Sequence, residues 1–299
     1  MAKIVVEAQG LVKFYEGRCV LDGIDLKVPQ GCIYGLLGRN GAGKTTLIRI
    51  LMGQETPTRG QALVLGANSQ RLSAAQRGRV GYVAEGHQLV PSWRVGWLVS
   101  LCRGLAPRWD ERFFGHLVST FKLPMDRKVK QLSTGMRAQL NLALAMAVEP
   151  ELLVLDDPTL GLDTAARREF LELAIDVIQR DGRTILFSSH ILSDVERIAD
   201  RVGILVGGRL AVDCPLEALK RRVRKLRLVF AETPPQRLAL TDIVRQEVQG
   251  REMLLTVADW DEHKQAYLET YGPINCSVVP MSLEDIFLEC TSRRTPVAV

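Results

Sequence analysis

The stretch that decides the fold is CIYGLLGRNGAGKTT, residues 32–46. It opens with an apolar run, Cys32 to Leu37, which is typical of a strand covered on both faces. A glycine-rich turn follows, and a helical pattern then runs from Thr46 to Met52. A strand, a glycine-rich loop and a helix in this order predict an α/β fold with a largely parallel sheet.

The loop between that strand and that helix fits the pattern GxxxxGK[ST]. Its glycines let backbone N–H groups curl around phosphate oxygens, and the helix N-terminus adds a positive dipole. Lys44 is placed to reach the β and γ phosphates, and the Thr45 hydroxyl to ligate Mg²⁺. A glycine-rich turn with a chance lysine is the alternative, and the register of strand, loop and helix disfavours it. The predicted nucleotide contacts here are Gly38, Asn40, Gly41, Gly43, Lys44, Thr45 and Thr46.

A second apolar strand, Leu152 to Leu155, runs into two adjacent carboxylates, Asp156 and Asp157. In a nucleotidase with such a loop, an Asp that ends a strand holds Mg²⁺, which assigns Asp156. Asp157 is then the candidate that orients or deprotonates the attacking water. The alternative is that both acids only cap the next helix. The phosphate loop favours the catalytic interpretation.

Between these two motifs lies Leu132-Ser133-Thr134-Gly135-Met136, which resembles the LSGGQ signature of ATP-binding subunits of ABC transporters. As a bare pentapeptide it is more often a helix start, but its position favours the signature. The likeness covers Ile4 to Asp213. It implies that Ser133, Gly135 and the start of the following helix, Met136 to Glu149, bind the γ-phosphate of ATP held by another subunit. Two copies therefore have to close face to face.

The same resemblance assigns roles to further positions in family order. Tyr15 matches the aromatic that stacks on adenine, although a Tyr near a strand can equally be packed. Glu85 occupies the place of a Gln near Mg²⁺ and could still ligate the ion. Gly161-Leu162-Asp163 matches a loop at the dimer interface, and His190 matches the switch histidine that contacts the γ-phosphate.

The chain departs from the family at four places: Arg39, Glu85, the signature positions Thr134 and Met136, and Asp157. At Asp157 the family usually has Glu, and the side chain here is one methylene shorter. A base has to lie within hydrogen-bond reach of its water, and misplacement by about 1 Å can lower the rate about a hundredfold. We therefore expect ordinary ATP binding and slow basal hydrolysis.

The length of 299 residues predicts one large and one smaller domain. We expect an ABC ATP-binding domain at residues 1–214, with a helical subdomain at about 88–150, and an accessory domain at residues 215–299. The accessory domain has the βαββαβ order of a ferredoxin-like α+β fold. Its predicted elements are a basic helix Leu216–Lys225, strand Leu226–Phe230, a short helix Pro235–Leu240, strands Ile243–Val248 and Glu252–Val257, helix Asp261–Tyr271 and strand Ser277–Pro280.

Charge and cysteine usage argue against nucleic-acid binding and against a redox or metal site built from cysteines. A net charge of +5 is modest for nucleic-acid binding, and the six cysteines form no CxxC pair or metal-ligand spacing. The basic run Lys220 to Lys225 is either a solvated helix face or a contact with anionic lipid headgroups. Trp93 and Trp97 are either a docking surface for a permease or core. No signal peptide or stretch of about 18 apolar residues is present.

The sequence thus predicts an ATPase subunit that binds ATP and Mg²⁺, forms a homodimer or a heterodimer with a related ATPase, and powers a separate transmembrane permease. The C-terminal extension resembles exporter subunits. The expected location is peripheral, on the cytoplasmic face of the membrane. Two alternatives stay open: a soluble ABC ATPase without a permease, and a slow regulatory partner in a heterodimer.

Overall fold

The computed structural model describes residues 3–292, except for the side chains of residues 174, 176–181, 290 and 292, so that Cys290 lies outside the described side chains. The chain divides into two compact units between Leu210 and Ala211. This division falls within strand β10 (Arg209–Pro215), which also contains the predicted boundary after residue 214. The predicted domain limits remain a prediction.

The first unit contains nine strands that lie entirely within it and seven helices among its described residues. The strands are β1 (Ile4–Tyr15), β2 (Arg18–Pro29), β3 (Ile33–Gly38), β4 (Arg59–Val64), β5 (Ala67–Asn68), β6 (Val80–Val83), β7 (Leu152–Asp156), β8 (Thr184–Ser189) and β9 (Arg201–Val206). The helices are α1 (Lys44–Leu51), α2 (Ala74–Arg77), α3 (Val95–Leu105), α4 (Glu111–Thr120), α5 (Thr134–Ala147), α6 (Thr164–Asp181) and α7 (Leu192–Ile198).

The predicted parallel sheet is confirmed. It has six strands in the order β10-β9-β3-β8-β7-β6, and β9, β3, β8, β7 and β6 pair in parallel. Every residue of β3, β7 and β8 is buried, as expected of strands without a solvent-facing side. Because parallel strands all end at one edge of the sheet, the segments after β3, β7 and β8 meet there.

A four-stranded antiparallel sheet in the order β2-β1-β4-β5 was not predicted. Its two long strands, β1 and β2, alternate between buried and exposed residues only in part, and β1 changes register several times. The buried side of this sheet packs around α1, with Leu11, Leu21 and Leu47 fully buried in the same core cluster. This sheet carries Tyr15 at the end of β1.

The predicted helical region contains α3, α4 and the signature helix α5. Ser133 caps α5, because its Oγ accepts a hydrogen bond from the Met136 N–H at 3.1 Å. Every residue in the second half of α5, from Leu142 to Ala147, is buried, and the helix ends before Pro150. The expected burial of this half is confirmed.

The second unit is α+β. Its described elements are helix α8 (Leu216–Arg222), strands β11 (Arg224–Val229), β12 (Ile243–Gln249) and β13 (Glu252–Val257), helix α9 (Glu262–Glu269), strand β14 (Asn275–Val279) and helix α10 (Leu283–Ser292). The strands form an antiparallel sheet in the order β12-β13-β11-β14. One face buries a cluster that includes Leu226, Met253 and Leu268.

Two predictions for this unit are wrong. The segment Pro235–Leu240 is not helical. It is shorter than two helical turns and begins at the second proline of the pair Pro234-Pro235. The buried side chain of Leu238 holds it on the core instead. The basic run Lys220 to Lys225 is not one helix face, because α8 ends at Arg222 and the run continues in β11. Arg222 also forms an ion pair with Asp259.

No helix in residues 3–292 is both long enough and apolar enough to span a bilayer.

Candidate functional site

The glycine-rich loop forms a tight cradle at the end of β3. Gly43 has φ +105°, and a Cβ there would lie 2.7 Å from Leu21 Cδ2 and 3.0 Å from the Val20 carbonyl oxygen. Only glycine fits this position without displacing β2. The Lys44 side chain is buried against the loop, and its Nζ donates a hydrogen bond to the Gly38 carbonyl at 2.7 Å. Burial lowers the pKa of Lys44, and the nearby charges of Asp157, Asp156 and Glu85 oppose that shift.

Asp156, at the end of β7, faces the start of α1. Its Oδ1 accepts hydrogen bonds from Ser188 Oγ at 2.7 Å and from Thr45 Oγ1 at 3.3 Å. Burial raises the pKa of Asp156, while these two hydroxyls act in the opposite direction. Ser188 also accepts the Asp157 backbone N–H at 2.9 Å, and so fixes both acids. The sequence analysis did not predict a role for Ser188. Its position near the end of β8, a strand beside β7, is the signal that could have indicated one.

The oxygen atoms around Thr45 fit a Mg²⁺ ion. Asp156 Oδ2 is buried and accepts no hydrogen bond from any described residue, and Glu85 Oε2 lies 3.4 Å from Thr45 Oγ1. Hard oxygen donors of this kind suit Mg²⁺, which usually binds one or two carboxylates and completes its shell with water and substrate phosphates. Among the described residues no three His, Cys, Asp or Glu side chains form a metal cluster by themselves.

Asp157 and His190 are in direct contact. His190 Nδ1 lies 2.6 Å from Asp157 Oδ2, whereas Asp157 Oδ1 is buried without a hydrogen-bond partner in the described residues. Burial raises the pKa of Asp157, and the bond to His190 and its charge oppose the rise. The backbone of Asp157 is left-handed, with φ +45°, which is uncommon for a non-glycine residue and typical of functional sites.

These residues surround a cleft of about 490 Å³. The predicted residues that line it are Tyr15, Asn40, Gly41, Gly43, Lys44, Thr45, Thr46, Glu85, Asp156 and Asp157. Gly38 is buried and bonds to Lys44, and His190 bonds to Asp157. Tyr15 is 37% exposed, so it is available to a ligand and is not core. Unpredicted lining comes from Arg18, Cys19, Val20, Ala42, Gly207 and Gly208.

Gly207 and Gly208 close the cleft through the turn between β9 and β10. Both have positive φ, +56° and +81°, as a two-residue hairpin turn requires. A Cβ on Gly208 would lie 2.7 Å from the Val20 carbonyl oxygen, which explains why the turn can approach β2 so closely.

The signature residues Ser133 and Gly135 line a different pocket of about 380 Å³. Its other lining residues are Thr134, Met136, Gln139, Gly161, Leu162, Asp163 and Ala166. No residue lines both this pocket and the cleft beside Lys44. Within one chain the structure therefore does not bring the signature to the phosphate loop, although it does bring the loop Gly161–Asp163 to the signature.

His87, which sequence reasoning missed, follows Glu85 and is only 3% exposed. Burial lowers the pKa of His87, the positive charge of Arg137 adds to that effect, and the Leu160 backbone opposes it. The residue thus lies near three functional segments: the one with Glu85, the signature helix α5, and the loop after Asp157. Its backbone is left-handed, with φ +51°.

Comparison with known proteins agrees with this geometry. Residues 21–160 match the family model described as ABC transporter. The chain is 31% identical to the Nod factor export ATP-binding protein I of Rhizobium johnstonii over 303 residues, covering 98% of this chain and 96% of that protein. It is 29% identical to the ABC transporter ATP-binding protein YtrB of Bacillus subtilis over 284 residues, covering 95% and 97% of the two chains. A solved ATP-binding subunit of an ABC transporter superposes with a TM-score of 0.66 at 26% identity, covering 73% of this chain and 92% of that one.

Proposed function

Since the chain belongs to the ABC transporter family as one of its ATP-binding subunits, we propose that it holds MgATP in the cleft beside Lys44. A second subunit then closes over the nucleotide and supplies Ser133 and Gly135. The observation that carries this proposal is the separation of the two pockets within one chain, because no residue lines both of them.

The cleft offers a distinct contact to each part of the nucleotide. Tyr15, at its rim, stacks on the adenine, and Lys13 Nζ lies 4.7 Å from the centroid of the Tyr15 ring. The loop amides and Lys44 hold the phosphates. On ATP binding Lys44 exchanges its hydrogen bond with the Gly38 carbonyl for bonds to phosphate oxygens. These charge-assisted bonds offset the free energy that burying the Lys44 ammonium costs.

Mg²⁺ is proposed to bind Thr45 and Asp156, with Glu85 in reach of the same hydroxyl. When bound, the ion neutralises charge on the phosphates. Ser188 holds Asp156 in place by a 2.7 Å hydrogen bond and thereby fixes the direction of its second oxygen.

Asp157 and His190 are proposed to act on the water that attacks the γ-phosphate. Asp157 Oδ2 is occupied by His190, so Oδ1 is the oxygen left to accept the proton of that water. His190 is available to contact the γ-phosphate from its half-exposed position. The aspartate is one methylene shorter than glutamate, and we propose that this length limits basal hydrolysis.

The subunit is proposed to drive a separate transmembrane permease from a peripheral position on the cytoplasmic side of the membrane. The Nod factor export protein, which matches along nearly its whole length, supports an exporter. A homodimer is the simpler assembly. The short side chain of Asp157 favours one second candidate, a slow regulatory subunit paired with a faster related ATPase.

Two measurements test the proposal. Steady-state hydrolysis of MgATP by the full chain should require Lys44, and Lys44→Met should abolish it. Affinity purification from detergent-solubilised native membranes should recover a polytopic protein without a nucleotide domain, in near-equal amount. Recovery of ribosomes or nucleic acid alone would contradict the transport function, and recovery of a second ATPase would select the heterodimer.

A further inference from the structure

The ammonium group of Lys13 is held from three directions. Its Nζ donates hydrogen bonds to Glu55 Oε2 at 3.0 Å and to the Thr56 carbonyl at 2.8 Å. It also lies over the Tyr15 ring, 4.7 Å from the ring centroid. An ammonium group has three N–H donors and no acceptor. A carboxylate, a carbonyl and an aromatic face therefore account for all three donors, and the Lys13 side chain is only 13% exposed.

The Tyr15 ring lies between Lys13 and the nucleotide cleft. Tyr15 lines that cleft, whereas Lys13 is not among the described residues that line it. An aromatic ring has two faces, and each of them can take a cation or another ring as its partner. The Lys13 ammonium occupies one face of Tyr15. The opposite face is therefore the one that is left for a flat ligand such as adenine.

Glu55 contacts both of these side chains. The hydrogen bond from Lys13 is the largest cause of a lowered pKa at Glu55, and the Tyr15 hydroxyl adds to that effect. The carboxylate is therefore charged at neutral pH and attracts the Lys13 ammonium. Lys13 and Glu55 together restrain the Tyr15 side chain at its ring and at its hydroxyl.

Residues 55–56 belong to the segment that follows α1. The Glu55 N–H donates a hydrogen bond to the Arg49 carbonyl in the last turn of α1, at 3.2 Å. The position of Glu55 is therefore set by the helix whose first turn is proposed to hold the phosphates. Through Glu55, Lys13 connects the Tyr15 ring to that same helix.

We propose that Lys13 is a positioning residue for ATP, which holds the Tyr15 ring where adenine can stack on it while the phosphate loop binds the triphosphate. Lys13 acts through Tyr15 and does not touch the nucleotide. Without the ammonium the ring has more rotational freedom, and the free-energy cost of ordering it on binding lowers the affinity. The inference rests on the proposed function, because it takes adenine as the group that meets Tyr15.

The backbone around Tyr15 does not depend on the Lys13 side chain. The Thr58 N–H donates to the Val12 carbonyl at 2.7 Å, and Thr58 Oγ1 accepts a hydrogen bond from the Phe14 N–H at 3.0 Å. These bonds join β1 to the segment after α1 without any side chain of Lys13. A change in ATP binding on substitution of Lys13 therefore reports on the Tyr15 ring.

The test is equilibrium binding of MgATP, and of inorganic tripolyphosphate with Mg²⁺, to the full chain. Lys13→Met keeps the length of the side chain and removes its charge. It should raise the Kd for ATP about tenfold and leave the Kd for tripolyphosphate, which has no base, unchanged. Lys13→Arg keeps a cation over the ring and should bind ATP within about threefold of the wild type.

A double-mutant cycle shows whether Lys13 acts through Tyr15. Tyr15→Ala should itself weaken ATP binding, and adding Lys13→Met to it should change the Kd little further, because the ring to be positioned is gone. Glu55→Gln keeps the Thr56 contact of Lys13, and it should weaken ATP binding less than Lys13→Met does. This variant provides a second measurement if Lys13→Met folds poorly.

Lys27→Met is the matched control, since Lys27 lies in the same sheet on β2, is 67% exposed and reaches Glu7 only at 3.8 Å. It should bind both ligands like the wild type. Wild-type ATP affinity in both Lys13→Met and Glu55→Gln, or an additive loss in the cycle, would overturn the proposal. So would an equal loss of tripolyphosphate binding, because Lys13 would then support the phosphate loop.

Lys44→Met distinguishes failure of this proposal from failure of the proposed function. It should weaken the binding of ATP and of tripolyphosphate together, because both ligands need the phosphate loop. Wild-type binding of both ligands by Lys44→Met would overturn the proposed nucleotide site itself. Weakened binding by Lys44→Met beside wild-type ATP binding by Tyr15→Ala would keep that site and overturn only the role of Lys13.

Discussion

His190 Nδ1 lies 2.6 Å from Asp157 Oδ2, and this contact leaves Oδ1 as the one oxygen of the buried carboxylate without a partner in the described residues. Asp157 also has a left-handed backbone, with φ +45°. Oδ1 is therefore the oxygen that has to reach the attacking water while Oδ2 stays bound to His190. Length, rather than charge, is the property of this acid that we expect to limit turnover.

Asp157→Glu is predicted to raise steady-state ATP hydrolysis, by up to about a hundredfold if reach alone limits the wild type. Asp157→Asn, which removes the base and keeps the size, should lower hydrolysis and leave ATP binding in place. Both rates are measured on full-length protein at saturating MgATP. A glutamate variant no faster than the wild type would refute the role of side-chain length.

His190→Ala is predicted to move the acidic limb of the pH–rate profile to higher pH. Burial raises the pKa of Asp157, and the bond to His190 opposes that rise. Without His190 the carboxylate therefore stays protonated to a higher pH, and the base is lost earlier on acidification. A variant with a lower rate but an unmoved acidic limb would mean that His190 acts only on the phosphate.

Asp156→Asn is predicted to stabilise the free protein while weakening Mg²⁺-dependent ATP binding. Burial raises the pKa of Asp156 above its unfolded value, so its ionisation costs stability as the pH rises through the folded pKa. At neutral pH the neutral side chain should raise Tm by about 2–4 °C, the shift for roughly 1 kcal/mol in a protein of this size. The gain should shrink on acidification. Glu269→Gln, at an exposed acid on α9, is the control and should change neither property.

His87 is predicted to make the fold sensitive to mild acid. Its pKa is lowered in the folded state, so the unfolded chain binds the proton more tightly. Stability should be complete above the unfolded pKa of about 6.5 and fall as the pH drops below it. His87→Leu should flatten this fall in thermal melts recorded across that range. His263→Leu, at an exposed histidine on α9, should leave the wild-type slope, and an unchanged slope in His87→Leu would contradict the prediction.

The parts of the fold that sequence predicted best are those with one dominant physical requirement. The phosphate loop needs glycine at Gly43 because a Cβ there has no space, and fully apolar strands such as β3 and β7 have to be covered on both faces. The helix predicted at Pro235–Leu240 is wrong, because so short a segment cannot offset the free-energy cost of nucleating a helix. His87 and Ser188 were missed because single polar residues acquire their roles only from neighbours distant in sequence.

The central claim is that one ATP site needs the phosphate loop of one subunit and the signature of another. Lys44→Met damages the phosphate-loop half of such a site, and Gly135→Asp damages the signature half. A Cβ at Gly135 would meet nothing closer than 3.8 Å, and an acidic residue suits the first turn of α5, so Gly135→Asp should fold normally while its charge repels the γ-phosphate. Normal thermal stability of both variants is the control.

Mixing these two variants and measuring MgATP hydrolysis is the most direct test. Each variant alone should be inactive, whereas mixed dimers contain one intact site, formed by the phosphate loop of the Gly135→Asp subunit and the signature of the Lys44→Met subunit. The account predicts that the mixture recovers activity, together with ATP-dependent dimers in size-exclusion chromatography. A mixture as inactive as its components, although mixed dimers form, would contradict a shared site.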